Sequence, residues 1–197
     1  ARDEGNAMPV NSLLKAFDLL QGPRIFELGW HLLTGVSRLR DNERDAAGRV
    51  LGPESVRYAA VRVAEGRILP LIFKINGSRA FTLFHTINLP SSGRHSRGDL
   101  DLLVHEMVHV FQFEQVGTVY IWQALRAQKT EGYSYGGWEK LAEDQQNGQR
   151  FSDYNREQQG QIAQDYYNQV VAAALPAESP VRLAFQPFID DLKAGML

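Results

Sequence analysis

The chain has 197 residues, 44% of them hydrophobic and 22% charged, a balance that supports a globular core of one-domain size. A formal net charge of −2 and the lack of any large Lys/Arg cluster argue against a dedicated nucleic-acid binder; the short basic run around Arg94 and Arg97 is too small to change that. With no cysteine, disulfides, thiolate metal sites and cysteine nucleophiles are excluded, so a metal has to be held by His, Asp or Glu.

The N-terminal ARDEGNAMP lacks the apolar stretch of a signal peptide, and no run of about 18 apolar residues marks a membrane span. The cytoplasm is the default location, with export as an effector or cargo the other open route. From Asn11 to Arg40, apolar residues at helical spacing predict two helices broken at Gly22-Pro23, within a helical N-terminal part covering 1–55. The period changes over 56–90. VRYAAVRV, ILPLIFKI and AFTLFHTINL read as strands, with Asn76-Gly77-Ser78 as a hairpin signal. In the last run Phe81, Leu83, His85, Ile87 and Leu89 are expected on one face. After a polar loop, Asp99 caps an apolar helix over about Leu100–Gln115. Another helix is expected from Val119 to Gln128, a short one around Trp138–Asp144, a longer one over Asn155–Ala174, and a short C-terminal one from Pro187. This order gives an α+β fold in one domain spanning 1–197, with the metal-site helices in 99–175.

The chemistry lies in LLVHEMVHVFQ, Leu102–Gln112, which contains H-E-x-x-H as His105, Glu106 and His109. On a helix, residues four apart share a face, so two imidazoles reach one ion, while Glu106, about 100° around, can act on a water bound there. The surrounding residues are apolar nearly all round, which buries the helix and makes unpartnered polar groups costly. A metal bound by both rings removes that cost. Zinc fits a His/Glu donor set best, with Glu106 as general base for hydrolysis. A catalytic zinc needs a third ligand. Glu157, 48 residues after His109 and at the start of a helix, is the leading candidate, with Asp165 or another group as alternatives. Gly160, inside that helix, marks close packing on the active-site helix. Tyr133 and Tyr135 in TEGYSYGG are candidate donors to the negative charge that develops during peptide hydrolysis, or else half-buried loop tyrosines. Gln112, one turn past His109, either bonds a ligand or packs. His85 reads as a packing or cleft-lining residue, His31 as structural, and His95 as exposed.

HEMVH followed by NREQQGQIAQDYY resembles the gluzincin tribe of zincin metallopeptidases. It looks most like small bacterial zincin-like domains associated with Vgr/Rhs-type and contractile-injection toxin systems. Those show H-E-x-x-H-x-x-Q, then Y-x-Y, then an E-Q-Q helix; the corresponding residues are His105–Gln112, Tyr133 with Tyr135, and Glu157–Gln159. The similarity covers about Asp99–Tyr167. It implies a zincin-like fold, a small sheet followed by the buried HExxH helix and a helical C-terminal part. It also implies a zinc-dependent peptidase acting on peptide or protein substrates. A non-catalytic or self-processing module of a secretion or toxin assembly is the alternative. Two departures stand out: Gln161 occupies the position where thermolysin-like members carry Asp, and Gly160 sits inside the ligand helix at a cost of about 1 kcal/mol relative to Ala; separately, Gln112 and Gln115 exclude the metzincin pattern.

Overall fold

The computed structural model describes residues 7–93, 95–130 and 132–197; the N-terminal ARDEGN and Arg94 of the short basic run lie outside the described residues. The fold is α+β. Helices α1 (Ala7–Leu19) and α2 (Gly22–Thr34) precede strand β1 (Val36–Arg38), helix α3 (Asp41–Leu51), strand β2 (Arg62–Ala64) and helix α4 (Leu69–Asn76). The hairpin of β3 (Phe81–Leu83) and β4 (Thr86–Asn88) leads into α5 (Leu100–Val116). The helices α6 (Val119–Thr130), α7 (Trp138–Gln146), α8 (Arg156–Tyr166) and α9 (Pro180–Lys193) complete the chain. Among the described residues no helix is long and apolar enough to cross a membrane.

The sheet is mixed, in the order β1-β2-β4-β3, with β2 and β4 parallel and the outer pairs antiparallel. Several expectations for 56–90 are corrected. ILPLIFKI is helix α4, because Pro70 suits the first turn of a helix and would break a strand ladder. Asn76-Gly77-Ser78 ends that helix: Gly77, at φ 73, turns its N–H to Phe73 O. AFTLFHTINL is the β3–β4 hairpin, so Phe81, Leu83, His85, Ile87 and Leu89 do not share one face of one strand. Its turn is Phe84-His85, with Phe84 at φ 56. That left-handed conformation is rare for a phenylalanine. The buried Phe84 ring is held by Phe17, Phe26 and Phe113 at centroid distances of 6.5, 5.7 and 5.2 Å. VRYAAVRV contributes only β2, and among the described residues the N-terminal part carries α1, α2 and α3 with β1 between the last two. The last helix begins at Pro180 and carries Pro187 inside it.

α5 runs through the middle of the fold, and every residue from Leu103 to Gln112 is buried. Its core neighbours are Ala46, Ala47 and Val50 of α3, Val63 and Ile87 of the sheet, Ile162 and Ala163 of α8, and Phe185 and Phe188 of α9. Each fully buried Val, Leu or Phe contributes about 1.5–3 kcal/mol. The approach to α5 is fixed by Arg97, whose buried guanidinium pairs with Glu43 of α3 (Nη2–Oε2 2.8 Å) and donates to Arg38 O at 2.6 Å. Asp99 takes the capping position, but its carboxylate accepts the His95 N–H at 2.7 Å instead of an α5 amide.

Candidate metal centre

Two helices bring the donors together. His105 and His109 lie one turn apart on α5, their ring centroids 5.0 Å apart. α8 packs along α5 and delivers Glu157 from its first turn. There the Asn155 side chain accepts the amides of Glu157 (3.0 Å) and Gln158 (2.9 Å), while Gln158 Oε1 accepts the Asn155 N–H. Glu157 Oε2 is 3.4 Å from Nε2 of both histidines, and one ligand atom from each of the three residues falls within 4.8 Å of the others. All three side chains are buried. Burial works against ionisation of Glu157, but the His109 charge and the hydrogen bonds of both rings hold its carboxyl far below the usual range. Burial would likewise push His109 down, yet the charge and hydrogen bond of Glu157 and the charge of Glu106 carry it up to about 9.

These donors fit a divalent cation. Two imidazole nitrogens and one carboxylate oxygen converge on one buried point. The other nitrogen of His109 is committed: Nδ1–H donates to Gln112 Oε1 at 2.9 Å, which leaves Nε2 as the atom available to an ion. Gln112 is oriented by its own amide nitrogen, which donates to Gln159 Oε1 (2.9 Å) and Arg156 O (3.1 Å). Gln159 in turn donates to Phe151 O and Tyr154 O. This amide chain ties the His109 ring to the start of α8. His105 Nδ1, by contrast, is buried with no hydrogen-bond partner among the described residues, a cost of about 1–3 kcal/mol. That ring is positioned by packing. A Cβ placed on Gly160 would meet its Cε1 and Nε2 at 2.8 Å, so the glycine is what lets α8 close on the ligand.

Glu106 projects to the same cleft, a cavity of about 660 Å³ lined by both histidines, Glu157 and Tyr133 on one side and by α4 and β3 on the other. Its Oε2 accepts a 2.6 Å hydrogen bond from the hydroxyl of Thr82 on the edge strand β3. Tyr120 donates to Thr82 O at 2.9 Å, and its ring stacks near His109 at 6.2 Å. Tyr133 lies 5.9 Å from the His105 ring; burial and the charges of Glu157 and Glu106 push its phenol up to about 12.

The structure brings His105, Glu106, His109, Glu157 and Tyr133 together. It does not bring Tyr135 there. That residue is buried against Phe185, and its hydroxyl donates to Asp165 Oδ2 at 2.7 Å. Asp165 is thereby engaged away from the centre, and Gln161 donates to its other oxygen at 2.9 Å. His85 does not line the cleft: it bridges Glu114 (Nε2–Oε1 2.9 Å) and Glu27 (Nδ1–Oε2 3.7 Å). His31 bonds Thr86, and His95 is exposed at the cleft edge. Sequence reasoning missed Thr82 and Tyr120, and it placed Gln159 in the E-Q-Q motif without its bond to Gln112. The one visible signal was a threonine between Phe81 and Leu83, where a sheet edge meets the metal helix.

No family model matches the chain, and comparison with curated proteins and with solved structures returns no match either. The functional reading therefore rests on the geometry of these side chains.

Proposed function

We propose that the protein is a zinc-dependent metallopeptidase of zincin type, with His105, His109 and Glu157 holding the ion. The observation that supports this most is a carboxylate outside the ligand trio, Glu106, placed in the same cleft and oriented by Thr82. A structural site has no use for that group. Zinc held here supplies a Lewis acid that acidifies water and polarises a carbonyl, and it suits this nitrogen and oxygen donor set. Thr82 occupies Glu106 Oε2, so Oε1 is the oxygen that takes the proton from the attacking water and returns it to the leaving amine nitrogen. Tyr133, protonated at neutral pH, donates to the carbonyl oxygen as negative charge builds there.

The test uses zinc-loaded protein, fluorogenic peptides and the Glu106→Gln variant. The parent is expected to hydrolyse peptide and to stop when chelated. The variant is expected to keep its zinc and lose at least about a hundredfold in rate. Hydrolysis by the variant at the parent rate would exclude Glu106 as the base. A loaded parent that cleaves nothing, including itself, would favour the non-catalytic module.

A further inference from the structure

α2 is apolar on two sides. Its inner side docks on the sheet: Trp30 Nε1 donates to Asn88 Oδ1 at 2.8 Å, His31 bonds Thr86, and Glu27 accepts the His85 N–H at 2.8 Å. Its outer side carries Ile25, Leu28 and Leu32 at helical spacing, each about two-thirds exposed or more. α1, packed beside it, exposes Leu13 and Leu19 to a similar degree, and α4 exposes Leu71 and Ile75. α2 and α4 adjoin: the Arg67 guanidinium reaches Leu32 O, and Trp30, Ile72 and Phe73 share one buried cluster. Exposed leucines and isoleucines recurring along neighbouring helices point to a docking face.

Its charges say what docks. Segments 10–34 and 66–79 contain, against two acids, five exposed bases: Lys15, Arg24, Arg67 and Lys74, with Arg79 at the rim where the face meets the cleft it lines. Both acids are turned inward: Asp18 accepts the Thr118 amide and hydroxyl, and Glu27 bonds His85. These segments therefore carry +3, and the remainder of a chain of net −2 carries −5. Leucine and isoleucine on helices, edged by Lys and Arg on an otherwise acidic protein, complement an anionic bilayer surface. A second copy is a poorer occupant, because an isologous contact would set these bases against their own images.

We propose that the outer face of α1, α2 and α4 binds the surface of anionic lipid membranes without spanning them. α4 contributes Ile72 and Asn76 to the cleft as well as Leu71 and Ile75 to this face, so the docked protein presents its cleft beside the bilayer. The inference stands independently of the peptidase reading.

The test is flotation of the chain with vesicles of two parts phosphatidylcholine to one part phosphatidylglycerol, compared with phosphatidylcholine alone. Sedimentation in the absence of lipid is run in parallel. Binding to the anionic vesicles is expected, at least about tenfold stronger than to neutral ones and weakened by salt. The variants Leu28→Glu/Leu32→Glu and Leu71→Glu/Ile75→Glu are each expected to lose at least about tenfold. Lys15→Glu/Arg24→Glu, which removes no apolar group, is expected to erase the preference for anionic lipid. Circular dichroism identifies any variant that misfolds, and the remaining ones then decide. No flotation, equal flotation with both vesicle types, or folded variants that bind like the parent would overturn the proposal. So would a lipid-free dimer abolished by the leucine substitutions, which would assign the face to a second copy.

Discussion

Gly160→Ala isolates the packing that sets the metal centre. In an exposed helix the change stabilises by about 0.5–1 kcal/mol. Here the new Cβ falls 2.8 Å from His105 Cε1 and Nε2 and 3.0 Å from Nδ1, whereas ordinary contact begins near 3.4 Å. Something must yield by about 0.6 Å. If the ring moves, Nε2 leaves its place 3.4 Å from Glu157 Oε2; if α8 backs away, it carries Glu157 with it. Both routes open the trio. Overpacking of this kind costs about 1–3 kcal/mol, enough to cancel or exceed the propensity gain. A displaced ligand lowers metal affinity by about tenfold to a hundredfold. The assay is zinc competition against a chromophoric chelator, with thermal melts of chelated protein to separate stability from affinity. Parent-like or tighter zinc binding would show that the close approach of Gly160 to His105 does not set the trio.

Three further outcomes are expected. Gln112→Leu strands the His109 Nδ1–H in a buried site and should weaken zinc about tenfold to a hundredfold in the same competition, with unchanged binding the contrary result. Because His109 is raised to about 9 in the metal-free protein, zinc uptake at pH 7 must displace its proton. Calorimetry in buffers of different ionisation enthalpy should show close to one proton released per ion, falling off above about pH 9; zero release at pH 7 would contradict the charge assignment. Burial opposes the charge on His85, but hydrogen bonds to Glu114 and Glu27 raise it above 6.5, and the same contacts lower both carboxyls from 4.5. The cluster's histidine contribution is therefore complete below pH 6.5 and fades as pH rises past the raised value, while the carboxylate contribution is complete above 4.5 and fades in acid. His85→Gln should flatten both limbs in thermal melts from pH 4 to 9, and an unchanged profile would remove the cluster from the account.

The helix α5 was legible because its signals agree. An apolar run after Asp99 and two histidines at helical spacing both point to one buried helix, and the structure adds Gly117 as its C-cap. Glu157 was legible as a carboxylate at the start of the helix that resumes at Asn155, and the structure adds the capping box of Asn155 and Gln158 that holds it there. The sheet was not legible. Its strands have three residues each, too short for alternation to separate them from a helix. Pro70 outweighed the β-rich look of ILPLIFKI, and the β3–β4 turn uses Phe84-His85, which carry no local turn preference and depend on an aromatic cluster remote in sequence. Tyr133 and Tyr135 alternate in the loop, and only the three-dimensional path shows that one faces His105 and the other Asp165.

One cation held jointly by His105, His109 and Glu157 is what the proposed function requires. Zinc X-ray absorption on stoichiometrically loaded protein, repeated on Glu157→Ala, tests it directly. One zinc per chain is expected, with two imidazole nitrogens and carboxylate oxygen, the carboxylate signal and most of the affinity lost in the variant. A parent chain that takes up no zinc, or a variant with the parent's spectrum and affinity, would contradict it.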